Sequence, residues 1–193
     1  MNDRRSRPTA WRFAWIILTC WGCTPQRAGP SSAPVIPAPN NTTPITLTPI
    51  DRAGYDAAIA KLHGKVVLVD YWATWCQPCV EKLPHTLELG QRLAARGLAV
   101  VTVSCDDPAD STRVAEFLST QHANGATNLI SEFGGSPRTM DEFEIANGSV
   151  PFYKLYDRKG QLRQTFGVDP AAKKQFTSAD IEAAVEQLLA EKD

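Results

Sequence analysis

The chain has 193 residues, 43% of them hydrophobic, and a formal net charge of −1. That length suits one globular domain with an appendage, since domains typically run to about 100–150 residues. A near-neutral chain without a basic stripe interleaved with aromatics excludes nucleic acid as the expected partner.

The N-terminus reads as a targeting segment. Arg4, Arg5, Arg7 and Arg12 precede an apolar run from Phe13 to Gly22. That run has the length of a signal h-region and falls short of the roughly 20 residues that span a bilayer. Residues 1–23 are therefore expected to be a signal segment. Half of the chain's 14 prolines follow, from Pro25 to Pro49. Proline fixes φ and removes backbone donors, so residues 24–50 are expected to form an extended, semi-rigid tether.

Residues 51–193 are expected to fold. Tyr55, Ala58, Ile59 and Leu62 lie at helical spacing behind a capping Asp51. Lys65 to Tyr71 is a Val-rich apolar run, the pattern of a strand buried on both faces. Residues 77–96 read as a helix interrupted by Pro84 and stopped before Gly97. Leu98–Ser104 reads as a second buried strand, and Ser111–His122 as an amphipathic helix. Residues 123–149 give little periodic signal beyond the short Asn128-Leu129-Ile130 run. Pro151–Asp157 and Gln161–Phe166 read as a hairpin about Arg158-Lys159-Gly160. Ser178 can cap a last helix whose apolar stripe is Ile181, Val185, Leu188 and Leu189. The fold class is therefore α/β, with a mixed central sheet and helices on both faces.

The five cysteines are odd in number and unevenly spaced, so they are no disulfide framework. Cys76 and Cys79 stand apart from Cys20, Cys23 and Cys105, because Trp75-Cys76-Gln77-Pro78-Cys79 follows a predicted strand and opens a predicted helix. The unpaired N–H groups and the dipole of a helix N-terminus stabilise a thiolate, the species that attacks disulfides. Cys76 is then the exposed attacker and Cys79, one turn in, the resolving thiol. Half of a zinc site is the competing reading, but zinc generally needs four ligands, and the three histidines (His63, His85 and His122) are scattered. Cys105, at the end of the second strand, reads as a small buried hydrophobe.

The segment Val69-Asp70-Tyr71-Trp72-Ala73-Thr74-Trp75-Cys76-Gln77-Pro78-Cys79 resembles the active-site segment of thioredoxin-like proteins, and is most similar to the TlpA-like, membrane-tethered protein disulfide reductases of bacteria. Pro84 matches the proline of that family's active-site helix, and Ser149-Val150-Pro151-Phe152 stands where the family has its cis-proline loop. The resemblance covers about residues 51–190 and is specific over residues 66–84. It implies that Trp75 shields the site, Cys76 attacks, Cys79 resolves and Pro151 lies opposite the disulfide. It places Asp70 on the buried acid that moves the resolving cysteine's proton. Burial at the end of an apolar strand should raise that carboxylate's pKa, which suits a base, although a hydrogen-bonded structural acid would read the same way. Lys82 stands where the family commonly has Glu, and Gln77-Pro78 differs from the usual dipeptides, so no redox potential is implied.

Gly22-Cys23 resembles the end of a bacterial lipoprotein signal, which implies lipidation of Cys23; an uncleaved signal anchor is the competing model. Together these features point to an extracytoplasmic thiol–disulfide oxidoreductase on the periplasmic or cell-surface side of a bacterial membrane. It is expected to need no cofactor, to take oxidised proteins as substrates and to be recharged by a membrane thiol reductase. A Sco-like copper-binding module shares the expected fold, but that type carries CxxxC and a downstream His, whereas no His follows His122 here.

Overall fold

The computed structural model of the chain describes residues 44–191. The expected signal segment, Cys23 and residues 24–43 of the expected tether lie outside them. Within residues 44–191 the elements run β1 (Leu47–Ile50), α1 (Arg52–Ala60), β2 (Val66–Trp72), α2 (Gln77–Leu93), β3 (Leu98–Ser104), α3 (Ser111–Thr120), β4 (Thr127–Ser131), α4 (Pro137–Glu142), β5 (Phe152–Tyr156), β6 (Leu162–Gly167) and α5 (Ser178–Ala190).

The strands form one sheet in the order β1-β4-β3-β2-β5-β6. The β1/β4, β4/β3 and β3/β2 pairs are parallel, whereas β2/β5 and β5/β6 are antiparallel. β2 is buried along its whole length, as its unbroken apolar run predicts. The steps β2→β3 and β3→β4 run in the same direction across the sheet, so right-handed crossovers set α2 and α3 on one face. The step β1→β2 runs the other way and sets α1 on the opposite face. Aromatic contacts agree with this arrangement. Phe117 of α3 lies 5.4 Å from Trp72, while Tyr55 of α1 lies 6.1 Å from Tyr71, the neighbouring residue that points to the other face. On the α2 face, Ile181, Val185, Leu188 and Leu189 of α5 pack with Val66, Leu68, Tyr153 and Leu155. Gly90 brings α2 close to the sheet, since a Cβ there would meet Val100 Cγ2 at 2.6 Å.

Three details depart from the sequence reading. Leu47–Ile50 falls within the stretch expected as tether, yet pairs with Asn128–Ser131 as an edge strand. An edge tolerates Pro49, whose missing N–H leaves no gap inside the sheet. Thr177, rather than Ser178, caps α5: its hydroxyl accepts from the Asp180 N–H while the Asp180 carboxylate accepts from the Thr177 N–H, a complete capping box. Residues 123–149, nearly featureless in sequence, contain β4 and α4. Elsewhere Asp51 caps α1 by accepting from the Gly54 N–H at 2.8 Å, and Gly97 adopts a left-handed φ of 97° just before β3.

Candidate active site

β2 ends at Trp72, and Ala73-Thr74-Trp75 carries the chain over to α2, whose N-cap is Cys76. The turn is closed by the Cys76 N–H donating to the Ala73 carbonyl at 3.2 Å. Cys76 and Cys79 form a disulfide with 5.3 Å between their Cα atoms. Cys76 is 6% exposed and Cys79 is 1% exposed, so the sulfur at the helix tip is the more accessible of the two. The Cys79 and Val80 N–H groups both donate to the Cys76 carbonyl at 3.0 Å, which starts the helix directly at the cysteine pair. Within that first turn the Gln77 side-chain amide donates to Glu81 at 3.0 Å.

The Val150–Pro151 peptide is cis. Its loop approaches the disulfide, with the Val150 carbonyl oxygen 3.6 Å from the Cys76 sulfur. Of the residues singled out from sequence, Trp75, Cys76, Cys79 and Pro151 thus gather at one end of the sheet. Trp75 is 60% exposed and forms one wall of an open groove of about 600 Å³, with Cys105, Asp107, Phe133 and Gly135 on the other walls.

Asp70 is fully buried on β2, on the strand face that α2 and α5 cover. Neither carboxylate oxygen has a hydrogen-bond partner among the described residues. Burial pushes its pKa up to about 7, while the nearby Thr86 and Tyr153 hydroxyls and the Lys82 ammonium pull it back in part. Those hydroxyls act on Asp70 from nearby without reaching hydrogen-bonding geometry. Cys105 is fully buried, and burial together with the charges of Asp106 and Asp70 pushes its thiol up to about 12. Its burial agrees with the small buried hydrophobe that its sequence context suggests.

The sequence reading missed Asp106. This carboxylate is buried and accepts from the Thr74 N–H at 2.9 Å, from the Thr74 hydroxyl and from the Ser104 hydroxyl at 2.8 Å. In sequence it sits in the polar run Asp106-Asp107-Pro108, which reads as an ordinary turn. Its partner Thr74 is 32 positions away, and no local pattern joins them.

A cysteine pair at the tip of a helix, fed by a central strand and faced by a cis-prolyl loop, places this chain in the thioredoxin-like class. The solved thiol:disulfide interchange protein of the thioredoxin family from Chlorobium tepidum TLS has the same fold, with a TM-score of 0.51 at 21% identity over 68% of this chain and 84% of that one. Residues 37–180 match the AhpC/TSA family, and the chain belongs to that family. Among curated relatives, the thiol-disulfide oxidoreductase ResA of Oceanobacillus iheyensis is 23% identical over 133 residues, which is 68% of this chain and 54% of that protein. The ResA of Geobacillus kaustophilus is 29% identical over 115 residues, 59% of this chain and 61% of that protein. The matches therefore span little more than half the length of these relatives.

Proposed function

We propose that the chain is an extracytoplasmic thiol–disulfide oxidoreductase that reduces disulfides in oxidised proteins through Cys76 and Cys79. The observation that carries this reading is the Cys76–Cys79 disulfide at the N-terminus of α2, with its outer sulfur facing the Val150 carbonyl. In the reduced protein the first turn of α2 stabilises a Cys76 thiolate. The thiolate attacks a substrate disulfide, releases one substrate thiol and holds the other as a mixed disulfide. Cys79, deprotonated with Asp70 as proton acceptor, then attacks the Cys76 sulfur. The second substrate thiol leaves and the Cys76–Cys79 disulfide re-forms, two electrons having passed to the substrate. Pro151 lines the face where the substrate strand lies, and Trp75 shields its flank.

The names of the ResA relatives support this chemistry, and the Arg-rich, apolar and Pro-rich N-terminal residues support export and tethering. A membrane thiol reductase would return electrons to the oxidised form. Among the described residues no helix is long and apolar enough to cross a membrane. In this reading, attachment belongs to the N-terminal segment, by lipidation of Cys23.

The test is insulin reduction by the full chain in detergent with a dithiol donor. Turnover above the donor's own rate, lost in C76S, is expected. Turnover that persists in C76S would overturn the assignment. The reduction potential then gives the direction: reductants lie near thioredoxin's value of about −270 mV, strong oxidants near about −120 mV.

A further inference from the structure

We propose that Asp106 is a positioning residue of the redox site, holding the Thr74–Trp75–Cys76 turn in register through Thr74. The proposal deepens the oxidoreductase reading above and rests on it. Placing a carboxylate in an interior is costly unless its oxygens are satisfied. Asp106 is 1% exposed, and its side chain meets that requirement almost entirely at one place. One oxygen accepts from the Thr74 N–H at 2.9 Å and from the Ser104 hydroxyl at 2.8 Å, and the other accepts from the Thr74 hydroxyl. The Ser104 hydroxyl in turn accepts from the Asp106 N–H at 3.0 Å, fixing the carboxylate's own direction. Arg113 is the nearest cation, 3.9 Å away and itself 59% exposed, so it contributes little in water.

The carboxylate therefore ties the end of β3 to the only stretch of chain between β2 and the nucleophile. A second tie lies one residue earlier, where the Cys105 N–H donates to the Trp72 carbonyl at 2.7 Å. From the other side, Gly135 supports the indole of Trp75: a Cβ on Gly135 would meet Trp75 Cζ2 at 3.0 Å and the Cys105 carbonyl at 3.2 Å. Thr74 and Trp75 are thus held between two turns that both belong to the long segment from β3 to α4. Without Asp106 the Thr74 N–H and hydroxyl lose their acceptor, and the turn before Cys76 keeps only its own closing bond to Ala73, the tie at Trp72 and the packing of Trp75. Misplacement of a reacting group by about 1 Å can cost up to ~10²-fold in rate.

The experiment compares D106A, D106N and T74V in the full chain with wild type. It reads kcat/KM for insulin reduction, the alkylation rate of Cys76 in the dithiol form, and hydrogen exchange at the Thr74 amide. Asn keeps the shape: its carbonyl can accept from the Thr74 N–H while its amide donates to the Thr74 oxygen. D106A is expected to lower kcat/KM and the Cys76 alkylation rate about tenfold and to expose the Thr74 amide to exchange. D106N is expected to recover both rates to within about twofold, and T74V to fall between. A folded D106A with wild-type rates overturns the proposal. D106N as slow as D106A also overturns it, because charge rather than geometry would then be responsible. Should D106A not fold, T74V carries the test, and unchanged rates there overturn it. If wild type leaves insulin untouched, the oxidoreductase reading fails. Cys76 alkylation and Thr74 exchange still decide the role of Asp106 in that case.

Discussion

Asp70 on β2 lies directly across from Tyr153 on β5, and both side chains are fully buried beneath the helix that carries the cysteine pair. Burial holds the Asp70 pKa at about 7, well above the ordinary value for an aspartate. In the unfolded chain this group titrates near 3.9. Between those two values the folded protein binds the extra proton at this site, so the contribution of Asp70 to stability falls as pH rises from about 4 to about 7 and is level above that. D70N removes this loss. It is expected to match wild type near pH 4 and to be more stable by about 2–4 kcal/mol at pH 8. Urea unfolding of the oxidised form at the two pH values reads the difference; an equal gain at both would remove the buried charge as its cause. In the same variant, the inflection near pH 7 in the rate of mixed-disulfide resolution is expected to disappear.

The roles of the two active cysteines separate in trapping. C79S keeps the attacking thiol and lacks the resolving one, so it is expected to accumulate a mixed disulfide on Cys76 when mixed with oxidised substrate. Peptide mass spectrometry locates the adduct. Cys105, buried with its thiol pushed up to about 12, is expected to carry none. Adducts on Cys105 would mean that the interior opens during turnover.

How far the sequence alone reaches depends on the range of the interactions concerned. Cys76, Cys79 and the ends of β2 and α2 are set within a dozen residues, by an apolar run, a CxxC pair and a helix start, and all were legible. Pro151 needed the family resemblance, because nothing nearby marks a cis peptide. β1 was hidden by the Pro-rich composition around it: its strand character comes from pairing with residues 128–131, some 80 positions on. Asp106 and Thr74 are legible only in three dimensions. Lys154 reads as one polar residue in a strand, yet it is buried and paired with Glu144 Oε2 at 3.2 Å.

That last pair supports a prediction about stability. Glu144 sits at a left-handed φ of 50°, and its carboxylate is the anion against which the buried Lys154 ammonium rests. Removing Glu144 leaves the buried Lys154 ammonium without this partner, whereas replacing Lys154 with an apolar side chain leaves no buried charge. E144A is expected to destabilise the protein by about 1–3 kcal/mol, at the low end because Glu144 itself is exposed. K154M is expected to fall within about 1 kcal/mol of wild type. Guanidinium unfolding of both variants checks the order, and K154M proving the more damaging would place the stabilisation in Lys154's own packing.

Attachment is expected to depend on residues 1–23, outside those the structure describes. The Arg-rich start, the short apolar run, Gly22-Cys23 and the Pro-rich stretch are the grounds for proposing lipidation at Cys23. A single acyl chain binds membranes only marginally, at about 10⁴ M⁻¹, so a stable anchor needs more than one chain. A diacylglyceryl group on Cys23 would meet that need. C23A is expected either to remain unprocessed or to appear free of the membrane outside the cytoplasm. In the competing model the apolar run from Phe13 to Gly22 stays uncleaved as the anchor. Intact-mass measurement of protein extracted from membranes distinguishes the two. A chain beginning at Cys23 with a lipid adduct is the expected result, and a chain still beginning near Met1 would end the lipoprotein assignment while leaving the chemistry of Cys76 and Cys79 as argued.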